Sequence, residues 1–142
     1  MTEHDQSSFT PDEISDWFWS LIERAEGDPD SLRATLEDLS SEDLVRFEDE
    51  FQHAAAQIRA RRFQPYLHPD LSEDGAQDVA NFVVSQGRAF YTDVWRDPSH
   101  IPARVDEDDP RILSGIAGDV HYEKFDEEIE FELNHEFKPY LT

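Results

Sequence analysis

The chain reads as an all-α protein: a compact bundle of about six helices followed by an acidic C-terminal tail, helical or extended. Three observations predict this. Apolar residues recur at three- and four-residue spacing through successive segments. Ser, Thr or Asp stands just ahead of most of these segments, with acids in the following turn. Period-two alternation, the mark of a half-buried strand, is confined to Ile129, Phe131 and Leu133 near the C-terminus.

Residues 1–8 are polar and are expected to fray. A single domain is expected over 9–128, with 129–142 as the tail. Thr10, Pro11 and Glu13 suit the start of a first helix, with Phe9 able to staple onto Ile14. Ile14, Trp17, Phe18, Leu21, Ile22 and Ala25 then trace one helical stripe, ended by Gly27-Asp28-Pro29. A short second helix spans about 31–39, with Leu32, Leu36 and Leu39 inward. Ser40 caps the third and longest helix, which runs to about Arg62 with Leu44, Phe47, Phe51, Ala54, Ala55 and Ile58 along its apolar face. The three arginines Arg59, Arg61 and Arg62 suit its negative end.

Pro65 and Pro69 make the stretch from Phe63 to Leu71 a loop. Ser72 caps a fourth helix carrying Val79, Phe82 and Val83, and Gly87 interrupts the pattern. A fifth helix bears Phe90, Tyr91, Val94 and Trp95 and stops at Asp97-Pro98. After a polar connection over 98–108, Asp109-Pro110 suits the start of a sixth helix through Ile112, Leu113, Ile116 and Val120. Gly115 and Gly118 weaken it, each costing about 1 kcal/mol against Ala. In the tail, Phe125, Ile129, Leu133 and Phe137 repeat every four residues, so a helix to about Glu128 and an extended end are expected.

Charge dominates the composition. Thirty-four acidic residues face twelve basic ones, a formal net charge of −22. Such a surface repels nucleic acid and anionic membrane, so neither is an expected partner. Aromatic residues are 12% of the chain, enough to close a core under the charge. The excess of Asp and the scarcity of Lys fit either a high-salt habitat or a GC-rich genome. There is no cysteine, so disulfides and thiol catalysis are excluded. No apolar run is long enough for a membrane span, and the acidic N-terminus does not read as a signal peptide, so a cytoplasmic protein is expected. Like charge opposes self-association; a monomer is favoured, with a dimer the alternative.

Three segments carry a resemblance: Phe18-Trp19-Ser20-Leu21-Ile22-Glu23-Arg24-Ala25, Leu39-Ser40-Ser41-Glu42-Asp43-Leu44-Val45-Arg46-Phe47-Glu48, and Ser85-Gln86-Gly87-Arg88 with Phe90-Tyr91 and Asp97-Pro98. In order and spacing they resemble the bacterial domain-of-unknown-function family numbered 4240, over roughly 14–100 and in extension toward 128. The resemblance implies a compact, mainly helical domain and no activity. The chain departs from the family pattern after the third helix, where Arg62-Phe63-Gln64-Pro65-Tyr66-Leu67-His68 is shorter and less aromatic than in relatives.

Four residues stand out as candidates for partner or ligand binding. Trp19 lies off the apolar stripe, so it is either an exposed anchor or packed under a neighbouring helix; packing is favoured. Gln86 and Arg88 flank Gly87, where a guanidinium could hold a carboxylate, or where Arg88 pairs with an internal acid such as Glu23 or Asp78 across a tight helix junction; the junction is favoured. Asp74, with Asp78, would supply carboxylates to a site around Arg88.

The six histidines are scattered without metal-ligand spacing, and acid runs such as Asp106 to Asp109 lack the spaced ligands of a calcium loop, so no metal and no cofactor are expected. No phosphate-cradling glycine loop or nucleophile elbow occurs, and nothing in the sequence pairs a serine with a histidine. These observations favour a non-enzymatic interaction domain that meets a basic protein, an inhibitor or immunity-type protein being one version. The rival is a small-ligand binder or enzyme with a pocket near Arg88.

Overall fold

In the computed structural model, residues 10–127 are described, and every regular element among them is helical. The helices are α1 (Asp16–Ala25), α2 (Pro29–Leu36), α3 (Ser41–Ile58), α4 (Glu73–Ser85), α5 (Arg88–Arg96) and α6 (Ile116–Phe125). Short 3₁₀ segments lie at Pro11–Glu13, Arg61–Tyr66 and Pro98–His100. They form a compact bundle around α3, which packs on α4, α6 and α1, while α1 pairs with α2, α2 with α6 and α4 with α5. The all-α bundle expected from periodicity is what the chain forms.

Aromatic rings fill its centre. Phe18 of α1 meets Phe47 at 4.8 Å and Phe51 at 6.1 Å between ring centroids. Each such ring contributes about 2 kcal/mol by leaving water. Tyr91 of α5 packs its ring 5.3 Å from Trp19 and donates its hydroxyl to the Ala54 carbonyl at 2.7 Å. That bond satisfies the one polar atom of an otherwise apolar side chain, and burial drives the phenol pKa far upward.

Helix starts follow side-chain capping, not always at the expected residue. Ser40 and Ser72 cap α3 and α4, accepting from the amides of Asp43 and Gly75. Thr10 instead opens only the turn Pro11–Glu13 and makes no side-chain cap. The cap of α1 is Ser15, whose hydroxyl accepts from Phe18 N–H at 3.1 Å while its own N–H and O–H donate to Glu50 of α3. Asp28-Pro29, read as the end of α1, starts α2: Asp28 accepts from Asp30 N–H, and α2 stops at Leu36, short of Leu39.

Two further boundaries differ. Helix α3 ends at Ile58, not Arg62, because the chain turns into Arg61–Tyr66 to bury Phe63 completely. The sixth helix begins at Ile116, not at Asp109-Pro110. Gly115 takes φ 86°, which is not right-handed helical backbone, so the helix starts only after it, and Asp109 is used to accept from Arg111 N–H and bind its guanidinium. Leu113 is buried ahead of the helix, held by its N–H donating to Ser85 Oγ at 2.8 Å. Helix α6 closes at Phe125 with Asp126 at φ 57°. Phe9 and the tail over 129–142 lie outside the described residues.

A candidate partner interface

At the end of the bundle where α3 begins, three elements converge. The α3 N-terminus meets α6 through Ser41 Oγ, 2.7 Å from His121 Nε2. His121 is 3% exposed, and its Nδ1 lies 2.8 Å from the Glu127 carbonyl. A carbonyl only accepts, so Nδ1 carries the proton; in the neutral ring Nε2 then accepts from Ser41. No spacing rule joins residues 80 positions apart, so the sequence could not show this Ser–His pair. The imidazole is sealed from solvent and its other partner is a backbone carbonyl, so the pair acts as a pin between α6 and α3.

The C-terminal end of α2 is fastened to the same place. Lys124 donates to the carbonyls of Glu37 and Leu39, both at 2.7 Å, which suits a cation at a helix C-terminus. Arg33 binds Glu123 at 2.9 Å and Asp119 at 3.8 Å. These ties fasten α6 to α2 and α3 and leave one face of it outward. Tyr122 and Phe125, three residues apart and therefore neighbours on that helix, are 53% and 38% exposed. Phe125 is braced on the His121 ring at 5.0 Å.

Exposed carboxylates are frequent on the same elements. Asp119, Glu123, Asp126 and Glu127 are exposed on or just after α6, and Glu37, Asp38 and Glu42 are exposed on the adjoining ends of α2 and α3. Inward of them, Glu48 is buried; desolvation pushes its pKa up, and Asp119 adds to the shift against the bond from Gln52. The result is two exposed aromatic rings among many carboxylates, with Phe125 braced by His121 and approached by Lys124 Nζ at 5.3 Å.

The residues singled out by sequence are elsewhere. Trp19 is 2% exposed, so it is no surface anchor: α1 is covered on two sides, by α3 and by α5, which widens its buried face beyond one stripe. Gly87 is buried at φ 103° and ψ 174°, and Glu23 accepts from Arg88 N–H at 3.0 Å, capping α5. The Arg88 guanidinium bridges Asp16 at 2.7 Å and Asp12 at 3.3 Å, which raises its pKa. Arg88 is thus paired with internal acids, though not with Asp78. Gln86 is half-buried; its Nε2 and the Trp19 Nε1 are buried with no hydrogen-bond partner among the described residues. Asp74 is exposed near the start of α4, twelve residues before Gln86, a helical rise of about 18 Å. Asp78 has its pKa raised, by desolvation first and then by Asp74. These acids do not converge with Arg88 on one site.

Among the described residues no group of three or more His, Asp or Glu is arranged to hold a metal ion, and no helix is long and apolar enough to cross a membrane. Residues 14–130 match the family model described as a protein of unknown function, DUF4240, and the chain belongs to that family. No curated protein and no solved structure matches the chain.

Proposed function

Since membership of that family brings no activity with it, we propose that this domain is a protein-interaction module that binds a basic partner through the Tyr122–Phe125 surface. The observation that carries the reading is two exposed rings on a helix tied to α2 and α3, with exposed carboxylates along the same helix ends. Rigid aromatics supply contact area at little entropic cost, and centrally placed ones dominate binding energy. The acidic rim would speed encounter with a cationic surface and reject anionic ones. An inhibitor or immunity-type role against a basic protein is one form this takes.

The test is affinity capture from lysate of the source cells with the wild-type chain and a Tyr122→Ala/Phe125→Ala variant, followed by titration of the purified partner. A basic protein retained by wild type, weakened at least about thirtyfold by the double variant and loosened by salt, is the expected result. Equal affinity of the two chains, or an acidic partner indifferent to salt, would refute the reading.

A further inference from the structure

The other end of α3 lies about 27 Å away along its axis and has a different character. Arg61, Arg62, Arg96 and Arg104 are all exposed there, and none pairs with a carboxylate among the described residues, although acids outnumber bases 34 to 12. They belong to one locality. Arg62 donates to the Trp95 carbonyl at 2.7 Å and stacks 4.6 Å from the Trp95 ring, beside Arg96. His68 N–H donates to the Ala103 carbonyl at 2.9 Å, bringing the Arg104 segment alongside.

A cleft of about 310 Å³ opens between α3, the Arg61–Tyr66 turn and the start of α4. That is the lower end of the range for small-molecule sites. Its apolar walls are Ile58, Leu67, Leu71, Ala76 and Ile101. Its polar lining is Arg59, Gln64, His68, Ser72 and Glu73. These groups are mostly arranged as donors. Arg59 spends one Nη1 bond on Gln77 Oε1 at 2.6 Å, leaving the rest of its guanidinium. His68 Nδ1 accepts from Asp70 N–H at 3.1 Å, so the remaining ring proton is on Nε2, a donor. Ser72 Oγ accepts from Gly75 N–H and keeps its own proton to donate. Helix α4, thirteen residues long, begins at the same space, with Glu73 and Asp74 in its first turn offsetting part of its positive end.

We infer that this cleft binds a small carboxylate with a short apolar or aromatic body, its anion held by Arg59 with His68 and Ser72. A monoanion is favoured over a phosphate dianion because Glu73 and the overall charge of −22 oppose each added negative charge. The site is separate from the α6 surface, and each stands without the other.

The test is an amide-resonance titration of the full chain with benzoate and with its neutral counterpart benzamide, repeated on Arg59→Gln and on Ala76→Leu, which fills the cleft from its wall. Benzoate should shift residues 64–76 and 101 saturably. Arg59→Gln should weaken it about tenfold or more, the effect of one charged hydrogen bond, and Ala76→Leu should abolish it. Benzamide should bind more weakly than benzoate to wild type. The inference is overturned if benzoate gives no saturable shift at these residues, if benzamide binds equally well, or if both folded variants titrate like wild type.

Discussion

Gly87→Ala is the sharpest probe of the α4–α5 junction. The backbone there has φ 103° and ψ 174°, a region open almost exclusively to glycine, and forcing alanine into it costs about 1–3 kcal/mol. The new methyl would stand 3.4 Å from Glu23 Cγ, ordinary contact, so strain and not collision sets the cost. Alanine also lowers the entropy of the unfolded chain, returning about 0.4–1 kcal/mol. The net loss is therefore about 0–2.6 kcal/mol, centred near about 1.3, or a fall in Tm of about 3–6 °C at that centre for a chain of this size. Gly118→Ala is the control. That glycine lies within α6 with nothing within 4 Å of an added methyl, so the variant should gain about 0.5–1 kcal/mol. Paired thermal and urea melts followed by circular dichroism measure both. A neutral or stabilised Gly87→Ala protein, or a Gly118→Ala protein destabilised as much, would refute the reasoning.

Two further outcomes concern titration. Glu48 has a folded pKa raised above its ordinary 4.5, so the native state binds its proton more tightly than the unfolded chain does, and stability is lost as pH rises through that raised value. Glu48→Gln should therefore melt higher than wild type at pH 7, with the advantage vanishing on acidification below about 4.5; a constant difference across that range would contradict it. His100 sits 2.7 Å from Asp93 and 3.2 Å from Asp97, and the bond its Nδ1 donates to Asp93 is the largest cause of its raised pKa. Imidazole resonances should titrate above 6.5 and fall toward that value in Asp93→Asn; an unchanged midpoint in the variant would show that the ion pair does not form in solution.

Helices were legible wherever pattern and cap agreed locally. Ser40 and Ser72 are followed at once by amphipathic runs, and α3 and α4 begin there. Tertiary partners moved the other boundaries. Ser15 caps α1 because Glu50, 35 residues away, fixes it, and the end of α3 is set by the burial of Phe63. Trp19 looked off-stripe because periodicity assumes one buried face, whereas two helices cover α1. The candidate interface was unreadable for the same reason. Tyr122 and Phe125 have the same spacing as core residues, and only the docking of His121 against Ser41 leaves them outside. The acidity was visible from composition; which acids lie near the two rings depends on how α2, α3 and α6 meet.

Under the proposed function the partner meets the α6 surface. A photo-crosslinking phenylalanine analogue substituted at Tyr122, and separately at Tyr66, which is 46% exposed at the far end of the bundle, tests it inside the source cells. Irradiation should join the chain carrying the analogue at 122 to one basic protein and leave the chain carrying it at 66 without that adduct. No adduct from 122, or the same adduct from both positions, would contradict the account.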